Sequence, residues 1–324
     1  MAIGSGLSAQ LMVKAETTYN TAVTPDRAYE FDAETLAHDL AKVTSAGLGR
    51  GRVARTDRVK TFTRNHAGDI TMDVMNKNMG LIFQHMLGQN TVTSGTGAHR
   101  IHTCVLDALA QQGKFMTVQV GRPDVGGTVR AFTYAGGKIT AWELSCEVDG
   151  PLKLKTSWNF ASVLTATALA TPSYIATQEM FIFNEGAVTI GGSAASVKSL
   201  SLTGNPGLTV DRRFIGGAQK EPLAGALTEI GGSLGMEFED LANWGAAIAG
   251  TTQALVITFT LATVIPTTAV AYSIVITLPA VEFLEAKPNV GGPGLVPLVL
   301  PFRALDNGSD PVISLVANTG DTAA

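Results

Sequence analysis

The 324-residue sequence is poor in cysteine and in charged residues, and each shortage excludes a class of protein. With only Cys104 and Cys146, the chain is not a disulfide-stapled secreted scaffold, and a reducing compartment is expected. A charged fraction of 15% excludes a charged disordered chain or a coiled coil. The net charge of −4 does not indicate a nucleic-acid or membrane-surface protein through bulk electrostatics. A globular, strand-rich chain remains.

The sequence also lacks an uninterrupted apolar run of membrane-spanning length. Its most apolar stretch, residues 255–281, contains Pro266, Pro279 and several threonines, so we interpret it as two strands and a turn. Residues 1–13 have no basic segment before a sustained apolar run, and no secretory signal is expected.

Alternation of apolar and polar residues is the dominant pattern, and period two is typical of half-buried strands. Residues 142–148 alternate in this way, Gly150–Pro151 predicts a turn, and residues 152–155 alternate again, which together predict a hairpin. Further strands are predicted around Ile70–Val74, Met116–Val120, Met236–Glu239 and Ile257–Leu261. The expected fold is therefore dominated by β-structure, as a sandwich or barrel with short flanking helices.

Two short segments have helical spacing instead. In the first, Asn78 is a candidate N-cap and Gly88 a candidate stop. Its apolar positions at helical spacing are Met79, Ile82, Phe83 and Met86. In the second, Asp240 is the candidate cap and Gly250 the stop. Its apolar face carries Leu241, Trp244 and Ile248.

The two helices lie in matching contexts, which indicates an internal duplication. Their stops are 162 residues apart, half of the chain length, and an Arg/Gly-rich segment at 34–52 has a looser counterpart at 198–217. We predict two domains, residues 1–165 and 166–324, joined by a linker of small residues at 164–173. Residues 1–162 carry 17 basic and 14 acidic groups, a net of +3, whereas the remainder carries 6 and 13, a net of −7. This asymmetry favours contacts between unlike halves of neighbouring chains.

The motifs that suggest chemistry are incomplete. Ser233 lies in a G-x-S-x-G pattern, but every histidine precedes it, so we interpret the segment as a glycine-bearing strand rather than a hydrolase elbow. His99, His102 and Cys104 lack the fourth ligand of a structural zinc site. We predict no catalytic residue, no cofactor and no metal.

A cluster of basic residues is the strongest charge feature, and the second half has a smaller one. The two clusters contain Arg50, Arg52, Arg55, Arg58, Lys60 and Arg64, and Arg212 and Arg213. Arginine on a glycine-flanked loop pairs well with phosphate, which leaves a DNA-binding module as one alternative. Because Phe62 alone supplies an aromatic ring nearby, we favour a contact with acidic residues of a neighbouring subunit.

The order of these motifs resembles the phage tail tube protein family. The resemblance begins at Thr17–Pro25, continues through Lys60–Arg64 and Gly68–Val74 into Gly80–Gly88, and extends over Tyr134–Val148. It implies a β-sandwich with a flanking helix, related to type VI secretion tubes. It also implies stacked rings of six such folds around a tape-measure protein, and the duplication favours three chains per ring over six.

The resemblance further implies a virion tail component assembled in the bacterial cytoplasm, with no membrane partner. Its expected partners are further copies of itself, the tape-measure protein, the tail terminator and distal tail proteins. The resemblance also implies that double-stranded DNA passes through the lumen without specific binding, so we expect acidic or neutral residues there. A head–tail connector or a tail terminator is the alternative.

Overall fold

The computed structural model describes residues 4–47, 55–107, 109, 111–216, 219–285 and 287–323, and these residues form mainly antiparallel β-structure. The strands of the first half are β1 (Gln10–Ala15), β2 (Arg27–Tyr29), β3 (Ala33–Glu34), β4 (Ala37–Thr44), β5 (Val59–Asp73), β6 (Gly88–Ser94), β7 (Arg100–Leu106), β8 (Met116–Pro123), β9 (Val129–Glu147), β10 (Lys153–Phe160) and β11 (Ser162–Leu164). Those of the second half are β12 (Gly186–Ile190), β13 (Ser193–Ala195), β14 (Val197–Asn205), β15 (Leu208–Thr209), β16 (Leu223–Ala224), β17 (Glu229–Glu237), β18 (Gln253–Val264), β19 (Ala271–Phe283), β20 (Pro297–Ala304) and β21 (Ser314–Thr319). The helices are α1 (Gly80–Leu87) and α2 (Ala242–Ala249), with single 3-10 turns at Gly6–Ser8, Thr56–Arg58 and Phe183–Glu185.

Two sheets of the first half share the long strand β9. One sheet has the order β2-β1-β8-β9-β11 and the other the order β4-β5-β10-β9. The change of partner along β9 occurs near Gly136, whose φ of 65° favours glycine. At the next residue, Gly137, a Cβ would lie 2.4 Å from the ring of Phe160. Both glycines are therefore required where β9 passes from one sheet to the other.

The second half repeats this order of pairing. One of its sheets has the strand order β13-β12-β18-β19-β21, and the other has the order β14-β17-β20-β19. Helix α2 follows β17 along the chain, just as α1 follows β5. The β6–β7 hairpin, which lies against α1, has no counterpart after α2 in the described residues. The halves thus have matching strand connections despite weak identity in sequence.

One continuous sheet joins the two halves. Strand β9 pairs with β14 from Trp142↔Gly204 to Glu147↔Ser199. This gives the order β4-β5-β10-β9-β14-β17-β20, which we call the central sheet. A second junction pairs β7 with β21, and the larger of the two clusters of buried apolar residues contains residues of both halves. The division into two domains stays a prediction.

The hairpin at residues 142–155 and the strands predicted around residues 70–74, 116–120 and 257–261 are confirmed, whereas β17 ends at Glu237, two residues before the end of the predicted strand. Leu144 and Leu154 point into the core, as their alternation predicts. The expected break at Pro279 is wrong, because this proline lies inside β19. The register of β18 and β19 shifts beside it, and such a bulge tolerates a residue without an N–H group. Pro266 does lie in the turn between these strands.

Both helices are confirmed, but their ends and burial differ from expectation. Asn78 does not cap α1, because its side-chain amide donates to the carbonyl of Ala28 at 3.2 Å and Met79 is the cap residue. Asp240 does accept the N–H of Ala242 at 2.8 Å at the start of α2. Seven residues of α1 are buried, whereas only Ala246 is buried in α2.

Candidate assembly surfaces

The side of the central sheet that faces away from the core carries small polar and charged side chains. Opposite residues on neighbouring strands share a face, so the registers align these side chains in rows across both halves. We call this surface the polar face; it contains Asp69, Thr71, Asp73, Glu143, Ser145, Glu147, Lys153, Lys155, Ser157, Ser199, Ser201, Thr203, Ser233, Glu237 and Arg303. Five carboxylates against three cations make it slightly acidic.

Carboxylates neutralise each of the three cations on the polar face. Lys155 lies 2.8 Å from Asp69, Lys153 lies 2.9 Å from Asp73, and Arg303 lies 2.6 Å from Glu282. The hydrogen bond to Asp69 raises the pKa of Lys155, so the pair stays ionised. Phosphate groups approaching this surface therefore meet no unpaired cation among these three residues.

At one end of the central sheet, β4 and the start of β5 project as a hairpin. We call residues 37–47 and 55–66 the first arm. Strand β4 has no strand partner on its other side within the described chain. Three apolar side chains of the arm, Leu40, Val43 and Phe62, are between 48% and 58% exposed. A two-stranded hairpin with exposed apolar residues is marginal alone and favours a further packing partner.

The first arm carries the basic cluster predicted from the sequence. Arg58 and Lys60 are exposed, and Arg55 forms an ion pair with Asp57. Arg50 and Arg52 lie outside the described residues, as does the side chain of Arg64. The structure therefore brings Arg55, Arg58 and Lys60 together on one projecting element, and their role as a subunit interface stays a prediction.

The corresponding hairpin of the second half, β14–β17, bends back onto the first half. We call residues 206–216 and 219–228 the second arm. Its Glu221 lies 2.5 Å from the Nζ of Lys138 and accepts the N–H of Gly113 at 2.8 Å. Its Gln219 donates to the side-chain oxygen of Asn159 at 2.8 Å. These contacts place the second arm beside the end of α1. There Lys138 donates to the backbone carbonyl of Gln111, and the Gln111 side chain donates to the carbonyl of Met86 in α1.

Arg212 and Arg213, the other predicted interface residues, lie on the second arm where it faces the first half, with Arg212 beside Tyr19 and Asn20. Arg212 donates to the backbone carbonyl of Glu221 at 2.5 Å, within its own arm. Arg213 lies near His66 of β5. Burial, and to a lesser extent the nearby His38 and Arg213, lower the pKa of His66 to about 4. His66 is thus neutral at physiological pH.

Helix α2 presents an apolar surface to solvent. Leu241, Trp244 and Ile248, which we call the α2 face, are between 37% and 68% exposed. Carboxylates surround it: Glu239 and Asp240 line a groove of about 370 Å³ at the start of the helix, and Glu282 lies close to Gly250 at its end. The predicted face exists, but it does not pack into the core of its own chain.

The two histidines considered as metal ligands form hydrogen bonds with the C-terminal part of the chain. His99 Nε2 lies 2.8 Å from the Asn318 side-chain oxygen, and His102 Nε2 lies 2.8 Å from the carbonyl of Asp321. Burial raises the pKa of Cys104 to about 12. Within the described ranges no three His, Cys, Asp or Glu residues form a metal-binding group. Ser233 lies inside β17, opposite Ser201, which confirms its interpretation as a strand residue.

Sequence reasoning missed Lys138 and Glu221, which lie 83 residues apart and meet only at the contact between the halves. A lysine in an otherwise apolar and small-residue stretch of β9 was the available signal.

Among helices in the described part of the chain, none has the length and hydropathy to cross a membrane.

A family model described as "Phage tail tube protein" matches residues 6–304, nearly the whole chain. A search of the curated proteins found no match.

Proposed function

Because the chain belongs to the phage tail tube protein family, we propose that it is a non-catalytic structural protein whose copies form stacked rings in the virion tail. The observation that carries this proposal is the central sheet, which crosses from one half to the other through β9 and β14. A sheet that already joins two similar units edge to edge is suited to joining further units in the same way. Closing such a sheet into a ring leaves no open edge for aggregation.

We propose that residues 1–165 and 166–324 each supply one unit of the ring. Three chains then give six units, so a trimer has pseudo-sixfold symmetry. The repeated order of strand pairing and the position of α1 and α2 after β5 and β17 support this arrangement. The contact between the halves of one chain then resembles the contact between chains.

The polar face of the central sheet is the surface we assign to the lumen. Its small side chains and paired cations fit a channel through which double-stranded DNA slides, because unpaired cations bind phosphate strongly. In this arrangement the tape-measure protein occupies the lumen before ejection. The tail terminator and distal tail proteins contact the end rings. Assembly takes place in the bacterial cytoplasm and involves no membrane.

Light-scattering mass combined with negative-stain microscopy of the purified chain tests this function. With a chain mass of 33.7 kDa, trimeric rings have a mass of about 101 kDa and stack into tubes with a central channel. Hexameric rings, at about 202 kDa, contradict the trimer but not the tube. Closed rings that never stack favour a head–tail connector or tail terminator instead.

A further inference from the structure

The first and second arms occupy equivalent positions in the two halves but have different surroundings. Each arm lies at the end of the hairpin formed by the strand that leads into the helix and by the strand before it, β5 with β4 and β17 with β14. The second arm packs on the first half of its own chain through Glu221 and Gln219. The first arm instead exposes apolar residues. Because a chain has only two halves, an equivalent contact for the first arm requires the second half of another chain.

We propose that the first arm packs against the α2 face of a second copy of the chain. This inference rests on the proposed function, since it assigns a contact between copies. The in-chain contact is the template: the second arm lies beside the end of α1, so the equivalent place for the first arm lies beside α2. Helix α1 is also covered by β6 and β7 of its own half, whereas α2 has no such hairpin in the described residues and its apolar face is exposed.

The two surfaces have complementary chemistry. Arg58 and Lys60 of the first arm meet Glu239 and Asp240 at the start of α2. The apolar residues of the arm, Val43 and Phe62 among them, meet the exposed apolar residues of the α2 face. The net charges of +3 and −7 on the two halves favour the same pairing of unlike halves. The contact is head-to-tail, as a closed ring requires.

Mixing two complementary variants tests the proposal. In the arm variant, Val43→Thr and Phe62→Thr remove exposed apolar groups and keep residues that favour strands. In the helix variant, Leu241→Gln and Ile248→Gln remove the apolar face and keep good helix formers. We expect each substituted pair to weaken self-association at least tenfold, because each pair removes two apolar side chains whose burial would stabilise the contact. A control with Leu7→Gln and Val125→Thr, two exposed residues outside both surfaces, assembles as the unsubstituted chain does.

An equimolar mixture of the two variants retains one intact contact, between the arm of one variant and the helix of the other. We therefore expect a heterodimer of about 67 kDa in the mixture, and monomers of 33.7 kDa in each variant alone. If the arm variant still forms rings, the inference is wrong. If both variants fail to assemble and the mixture gives no heterodimer, the arm binds elsewhere and the inference is also wrong.

Photo-cross-linking provides a second measurement that does not depend on stable rings. Benzoylphenylalanine at position 62, in a mixture of isotopically labelled and unlabelled chains, is expected to link to residues 241–250 of another copy. Links within the same chain, or to another surface, overturn the inference. A wild-type chain that forms neither rings nor tubes refutes the proposed function, whereas normal rings with no link to α2 refute only this inference.

Discussion

The ion pair between Lys138 and Glu221 holds the second arm against the first half, and removing it should destabilise the fold in a non-additive way. The side chain of Lys138 is only 3% exposed, and that of Glu221 is 22% exposed. Besides Glu221, the ammonium group donates to the carbonyls of Gln111 at 2.9 Å and Pro222 at 3.1 Å. Burial lowers the pKa of Lys138, and Glu221 offsets part of this effect.

The cost of each single change follows from the charge it leaves unpaired. Glu221→Leu leaves a buried ammonium group with two carbonyl acceptors, and we expect a loss of about 3–4 kcal/mol in the free energy of unfolding. Lys138→Met leaves the carboxylate, which retains partial access to water and the N–H of Gly113, so about 2–3 kcal/mol is expected. The double variant leaves neither charge, and its loss should be smaller than the sum by about 2 kcal/mol.

Urea unfolding of the four proteins, at a concentration where the chain is monomeric, measures these differences. Hydrogen exchange of the arm amides measures the local effect, and we expect faster exchange around residues 219–224 in both single variants. Lys220→Met, at an exposed neighbouring position, is the matched control; it removes only a cation–π contact with Phe214 at 4.8 Å and should change stability by less than about 1 kcal/mol. Single-variant losses that add to within about 0.5 kcal/mol would refute the reasoning.

Two further perturbations test other parts of the fold. Burial lowers the pKa of His85 to about 4, so its contribution to stability is complete above pH 6.5, the ordinary value, and is lost as the pH falls toward 4. His85→Gln should therefore reduce the slope of the unfolding free energy against pH between pH 4 and 6.5. The reduction is as much as about 1.4 kcal/mol per pH unit. An unchanged slope, measured by urea unfolding at several pH values, would contradict this. Gly136→Ala should lower stability by about 1–3 kcal/mol, because φ is 65° and a Cβ there would lie 2.9 Å from Ala161 and Tyr19. Gly245→Ala, in open space on α2, should instead raise it by about 0.5–1 kcal/mol, and equal melting temperatures for the two glycine variants would contradict both expectations.

Several elements were predictable because their signals are local. The alternation at residues 142–155 reflects side chains that point to opposite faces of a strand, and β9 and β10 follow it. The spacing and the terminal glycines of α1 and α2 also reflect short-range geometry. The cap of α1 was not predictable, because Asn78 donates to Ala28, fifty residues away, and this contact exists only in the folded chain.

The candidate surfaces were only partly predictable for the same reason. The basic residues of the first arm are adjacent in sequence, so their clustering could be seen there. The polar face combines strands from both halves, and only the β9–β14 register aligns Ser145 with Ser201. The exposure of α2 also depends on tertiary structure, since α1 has an equally apolar pattern but is covered by β6 and β7.

The sequence by itself determined the class of the fold, its strands and helices, its approximate twofold repeat and its family resemblance. Composition, periodicity and the order of motifs indicate these features, and none of the three depends on contacts between distant residues. Only the tertiary structure decided how the halves join, which side of the sheet is polar, which arm is docked and which helix is exposed. Those features depend on strand registers and on contacts between residues that are distant in sequence. Local patterns do not encode which of several compatible partners a strand edge or an apolar face finally meets.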